Sequence, residues 1–176
     1  LTNPILIKEL PAIHAVHTGG VITKGQNNEI YFVIGDQYQR TTFQNIPTDA
    51  TYESSSIFKV DTESNNVELF AMGIRNSFGL AVDPVTGYLW ETENGSDRFD
   101  EINLVKPGFN SGWVSVMGPA DRNYRELGAD SDLSTLNPKP FENFEYSDPE
   151  FAWEKPVAVT AIAFPDMSGF NVYSNQ

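Results

Sequence analysis

The sequence predicts an all-β protein on three observations. Apolar residues recur in short runs rich in Val, Ile, Phe and Tyr, turn-forming clusters separate those runs, and no segment shows an apolar stripe at helical spacing capped at both ends. In chain order the runs are 5–10, 29–34, 56–60, 67–71, 78–82, 88–92, 102–105, 157–164 and 171–174. The first, Ile5-Leu6-Ile7-Lys8-Glu9-Leu10, is apolar at both ends, and the second, Glu29-Ile30-Tyr31-Phe32-Val33-Ile34, is built of β-branched and aromatic residues. Residues 56–60 and 67–71 flank Ser64-Asn65-Asn66, whose short polar side chains favour a tight turn. Residues 78–82 and 88–92 flank Asp83-Pro84-Val85-Thr86-Gly87, with proline early and glycine late as turns require. Gln26-Asn27-Asn28 precedes the second run and Lys106-Pro107-Gly108 ends the seventh. Many short strands at modest spacing fit a sandwich, a barrel or a propeller, and periodicity does not choose among them.

Composition narrows the function classes. The chain has 176 residues, enough for one domain with a real core. Its 24 acidic and 11 basic residues give a formal charge of −13, which would repel a nucleic-acid backbone. With no cysteine it has neither disulfides nor thiolate metal ligands. No run approaches the ~20 apolar residues that a membrane-spanning helix needs. The pair His14-x-x-His17 lacks the third and fourth ligands of a zinc site among Cys and His.

The distinctive segment runs from Ala71 to Trp113. Arg75-Asn76 stands just before an apolar strand, Glu91 to Glu101 contains five acidic residues, and Asn110-Ser111-Gly112-Trp113 closes the run. Upstream, His17-Thr18-Gly19-Gly20 precedes Ile30-Tyr31-Phe32-Val33-Ile34-Gly35-Asp36-Gln37, and downstream lies Asp148-Pro149-Glu150-Phe151-Ala152-Trp153. This order resembles the glucose/sorbosone dehydrogenase family, soluble six-bladed β-propellers that oxidise aldose sugars with pyrroloquinoline quinone (PQQ) and calcium. The resemblance selects the propeller and implies four-stranded antiparallel blades. Residues 20–71 then form one blade and 77–153 the next, with 5–10 the outer strand of a preceding blade and 157–174 two inner strands of a following one. About two full blades and two partial ones result, an incomplete six-bladed propeller in a single domain over 1–176, with 117–146 as a long loop or insertion. Exposed strand edges favour self-association, so the expectation is a homodimer in which two chains complete the ring. The family is usually exported, which implies a periplasmic or secreted protein.

The resemblance also implies the chemistry. Oxidation at the anomeric carbon moves hydride to the quinone while a base takes the hydroxyl proton, and His17 matches that base. An imidazole, titrating near ~6.5 when unperturbed, suits the task. Arg75 and Asn76 match a pair that faces the quinone, where a cation stabilises the charge developing on reduction. Asn94 stands where glucose-oxidising members carry glutamine. Carbonyls at Gly95 and Ser96 match ligands of the calcium that holds the quinone, and Glu101 matches a carboxylate serving a second, structural calcium. Calcium accepts such mixed oxygen donors.

The departures are specific. Val16 replaces an aspartate that contacts sugar, Val21 an arginine, Ser96 a proline, Ser111 a tyrosine and Val114 a proline. The family's basic partners for the cofactor's carboxylates match no residue of this chain. Val16 and Val21 favour an alternative, a non-catalytic calcium-binding propeller module for protein or glycan. A third possibility is a structural β domain with a merely solvated acidic loop. In the enzymatic reading the partners are a small sugar and a separate electron acceptor.

Overall fold

Ten short strands arrange themselves in two sheets in the computed structural model, which describes residues 3–38, 53–122 and 143–165. The first sheet begins with an antiparallel meander of β1 (Ile22–Lys24), β2 (Glu29–Ile34), β3 (Ser56–Asp61) and β4 (Val67–Met72). The second is built of β5 (Ser77–Val82), β6 (Leu89–Glu93) and β7 (Asp100–Val105), with β10 (Phe151–Trp153) on the outer edge of β7. Each is a four-stranded antiparallel unit, and their limits fall close to the predicted blades at 20–71 and 77–153. Between β7 and β10 the chain crosses back to the first sheet. There β8 (Phe109–Asn110) and β9 (Glu145–Tyr146) add to β4 as short parallel strands.

The turns follow the sequence. Asp83 accepts the Val85 backbone N–H at 2.9 Å and the Thr86 hydroxyl at 2.5 Å, closing the β5–β6 hairpin. Asp61 does the same after β3, accepting the Glu63 N–H at 2.8 Å.

The two blades share one wall. Tyr31, Val33, Ile57, Phe70, Ala71 and Ile74 from the first meet Leu80, Leu89 and Val105 from the second, with Phe109 between them. Register explains why this wall changes character along its length. Leu89 pairs with Val105, Glu91 with Asn103 and Glu93 with Glu101, so successive same-face positions run from apolar to acidic. A smaller cluster of Phe99, Trp113, Val114 and Met117 closes the polar end.

Several predicted elements are corrected. Residues 5–10 are not a strand: Ile5 and Leu6 are 83% and 72% exposed, and no neighbouring strand pairs with them. Lys8 ties the segment down through Glu53 at 2.8 Å and lies over the Phe58 ring. Residues 157–164 likewise form no ladder, and residues 171–174 lie outside the described ones. A strand needs an adjacent backbone as well as an apolar pattern. The short strands β1, β8, β9 and β10 match none of the predicted runs. The expected loop at 117–146 has structured ends: Met117 is buried, Ala120–Arg122 is a 3-10 turn and Glu145–Tyr146 is β9. Its remaining residues, 123–142, lie outside the described ones. Among the described residues no helix is long and apolar enough to cross a membrane.

Leu89, 2% exposed in the shared wall, tests how firmly the blades are joined. Leu89→Ala is expected to destabilise the fold by about 2–5 kcal/mol, measured by denaturant unfolding, whereas Val85→Ala at the exposed hairpin tip changes stability by about 0.5 kcal/mol or less.

Candidate functional site

The ends of β2 and β6 and the segments leading into β1 and β5 meet at one end of the two sheets. Gly35 allows the meeting. A side-chain carbon there would stand 2.5 Å from the Arg75 carbonyl oxygen and 2.8 Å from that of His17, so only glycine lets three backbones approach so closely. The next residue, Asp36, donates its N–H to the Arg75 carbonyl at 2.8 Å. This brings His17 and Arg75, 58 positions apart in the chain, to the same place.

The Asp36 carboxylate is 1% exposed and fully engaged. Its Oδ1 lies 2.5 Å from His17 Nδ1 and accepts the Tyr38 N–H at 2.9 Å, and its Oδ2 accepts the Trp113 indole N–H at 2.9 Å. An ionised carboxylate only accepts, so this contact calls for a proton on His17 Nδ1 and directs Nε2 away from Asp36. The Trp113 ring in turn lies 5.4 Å from the Arg75 guanidinium.

Arg75 is buried and holds the loop after β6. Its guanidinium donates to the carbonyls of Asn94 at 2.7 Å and Gly95 at 2.9 Å, while its backbone N–H donates to Glu93 Oε1 at 2.5 Å. Asn76 takes part through its backbone, its carbonyl accepting the Asn94 N–H at 2.9 Å. Asp100 fastens the other side, accepting the Gly95 N–H at 3.0 Å on Oδ1 and the N–H groups of Val157 and Ala158 on Oδ2. Ser96 is partly exposed and its hydroxyl donates to Asp97.

Beneath the site lie three buried glutamates. Glu93 Oε2 accepts the Ser111 hydroxyl at 2.7 Å, and Asn103 donates to Glu91 Oε1 at 3.2 Å and Glu101 Oε2 at 3.1 Å. Glu101 Oε1 accepts the Gly118 N–H. Burial, reinforced by neighbouring carboxylates, pushes Glu91 well above the ordinary carboxylate range and Glu101 up to about 8. Burial also raises Glu93, to about 7, against the opposing pull of the Arg75 N–H and the Ser111 hydroxyl.

Sequence reasoning named His17, Arg75, Asn76, Asn94, Gly95, Ser96 and Glu101. The structure gathers His17 and Arg75 around Asp36, and Asn94 and Gly95 around Arg75. Glu101 stands in the blade wall with both oxygens engaged by protein donors. Asp36 and Trp113, present in the quoted motifs, were not assigned roles. The signal was an acid placed directly after a buried apolar strand, where it must find donors. Ser111 fills the expected tyrosine position with a hydroxyl that reaches Glu93.

A family model described as glucose/sorbosone dehydrogenase matches residues 3–176. The chain belongs to this family. It is 32% identical over 131 residues to quinoprotein glucose dehydrogenase B of Acinetobacter calcoaceticus, covering 60% of this chain and 27% of that protein. It is 24% identical over 164 residues to the aldose sugar dehydrogenase YliI of Escherichia coli, covering 88% of this chain and 42% of the relative. Among solved structures, a putative oxidoreductase (glucose dehydrogenase) of Thermus thermophilus aligns with a TM-score of 0.60 at 28% identity, over 82% of this chain and 41% of that one. The chain thus spans less than half the length of these relatives, and the two blades are an incomplete propeller of their kind.

One observation tests the fit of a family metal. Asn94 Oδ1 is buried with no hydrogen-bond partner, but the Asn94 and Gly95 carbonyls accept from the Arg75 guanidinium, so a calcium ion on this loop would have to take those oxygens from Arg75. Arg75 places a positive charge at the same place, held by those two carbonyls.

The raised glutamates predict a pH dependence. Their protons are held in the folded chain and released on unfolding above about 4.5, so the stabilisation is full below that value and is lost as pH rises through about 7 to 8. Without added calcium, the melting temperature is expected to fall between pH 5 and pH 8.5. Glu91→Gln, which keeps shape but cannot ionise, is expected to flatten that slope.

Proposed function

We propose that the complete protein is a PQQ-dependent aldose sugar dehydrogenase and that these two blades carry its proton-accepting side. The observation behind this reading is the His17 Nδ1–Asp36 Oδ1 contact of 2.5 Å, which leaves Nε2 as the basic atom of a mostly buried imidazole. The quinone, when bound, supplies the hydride acceptor. His17 takes the proton of the anomeric hydroxyl on Nε2, and the fixed charge of Asp36 stabilises the imidazolium that forms. Trp113 locks the second oxygen of Asp36, so the imidazole is held in one tautomer and orientation. Arg75 provides positive charge toward the cofactor's anionic groups, with Asn76 beside it. The carbonyls of Gly95 and Ser96 would hold the calcium, Gly95 having to release the Arg75 guanidinium, and the buried Asn94 Oδ1 is free to face the cofactor. A second calcium at Glu101 would have to draw that carboxylate from Gly118, Asn103 and Ser111.

The reading extends to a sugar partner, a separate electron acceptor, a periplasmic or secreted setting, and completion of the ring by further blades, including those of a second copy. Light scattering with and without calcium and PQQ tests the last point, and a strict monomer under all conditions overturns the homodimer.

In the full-length protein supplied with calcium and PQQ, His17→Ala is expected to lower the rate of aldose-driven dye reduction about 10²–10⁴-fold while cofactor absorbance shows undiminished binding. Asp36→Asn is expected to lower it by a smaller factor. Dye reduction by His17→Ala within threefold of the parent overturns the assignment of the base.

A further inference from the structure

The Gly95 carbonyl is claimed twice. It is an oxygen that the calcium proposed above would use, and it already accepts from Arg75 Nη1 at 2.9 Å. The same nitrogen donates to the Asn94 carbonyl at 2.7 Å, so one positive group bridges two backbone oxygens, as a metal ion would. Arg75 is 6% exposed, and little water screens its charge there.

The loop is built to aim these oxygens at a cation. The Asn94 carbonyl and the Gly95 N–H belong to one peptide unit, in which they point in opposite directions. Asp100 Oδ1 takes that N–H at 3.0 Å and so turns the Asn94 oxygen toward Arg75. Packing prevents the loop from carrying a side chain here, because a carbon added at Gly95 would stand 2.0 Å from the Arg98 carbonyl oxygen and 2.3 Å from that of Phe99. The backbone of Arg75 is pinned on both sides, its N–H to Glu93 Oε1 at 2.5 Å and its carbonyl to the Asp36 N–H at 2.8 Å. Movement is left to the side chain. Its guanidinium lies 5.4 Å from the centre of the Trp113 ring, and Trp113 is bonded to the carboxylate that faces His17. A guanidinium that lets go of the carbonyls therefore keeps a partner on the His17 side.

We propose that the Arg75 guanidinium holds the metal's place on the Gly95 carbonyl and yields it when calcium binds, so that the released guanidinium becomes a counter-charge for the anionic cofactor and calcium must load before quinone. The proposal rests on the calcium and quinone reading and adds an order to it. Two cations on one oxygen stand no more than about 5 Å apart, given the usual lengths of a hydrogen bond and a calcium–oxygen contact. In a buried place like charges at that distance repel strongly. Until the metal arrives, the charge that the quinone's acid groups need is committed to the loop.

The test uses the full-length protein. Calorimetry without quinone is expected to give Arg75→Gln a calcium affinity about tenfold above the parent's, because the competitor is gone. With calcium saturating, cofactor absorbance is expected to show Arg75→Gln binding PQQ about tenfold more weakly. A merely structural arginine would weaken both when removed. A second measurement needs no substitution: calcium alone is expected to shift the Arg75 signals in nitrogen-15 NMR of the parent's arginine side chains. Equal or weaker calcium binding by Arg75→Gln, with the parent's Arg75 signals unmoved by calcium, overturns the exchange and leaves the metal reading standing. Calcium binding by Arg75→Gln but not by the parent overturns the loading order. Failure of both to bind calcium overturns the exchange together with the metal reading beneath it.

Discussion

Asp36 is the carboxylate on which the arrangement depends. A buried anion must find donors or lose its charge, and Asp36 finds them in His17, Trp113 and the Tyr38 backbone while its own N–H reaches Arg75. These partners come from before β1, after β2, between β4 and β5, and after β8. One residue, through its carboxylate and its backbone N–H, therefore draws these segments to a common point. Gly35 and Gln37 serve it from either side, the first by allowing the backbones to approach and the second by fastening the segment before His17.

Below that point the wall between the blades makes an unusual trade. Leu89 and Val105 bury apolar surface, but the next positions along the same face are Glu91, Asn103, Glu93 and Glu101. Four apolar residues would pack there with less penalty, so the carboxylates weaken the wall whenever they ionise. Their partners, Asn103 and Ser111, are neutral. Arg75 gives Glu93 its backbone N–H, but its guanidinium is directed to the Asn94 and Gly95 carbonyls. The wall is accordingly most comfortable with its acids protonated, and the site above it rests on a floor sensitive to proton concentration.

How much of this was legible in the sequence depended on whether a residue's role was local. Strands β2 to β7 are each five or six residues long, bounded by turn chemistry, and were readable from those features. The strands β1, β8, β9 and β10 have three residues or fewer and exist because a neighbour's edge was available, which pattern cannot reveal. The reverse error occurred at 5–10 and 157–164, where apolar pattern is present but no adjacent backbone completes a ladder. In the site, His17, Arg75 and the loop at Asn94-Gly95 stood out through their neighbours in the chain. The burial of Glu91, 12 residues from its partner Asn103, and the tilt of Tyr38 into left-handed backbone are consequences of packing alone.

The excursion of the chain between β7 and β10 has a bearing on how the molecule comes apart. Blades of a propeller are ordinarily successive beads, each able to loosen with only its neighbours affected. Here β8 and β9 leave the second unit, join the outer edge of the first beyond β4, and then return as β10. Detaching one bead requires peeling two stitches from the other. The pair should therefore open as one cooperative block, with amide protons on β4 and on β7 exchanging through the same event.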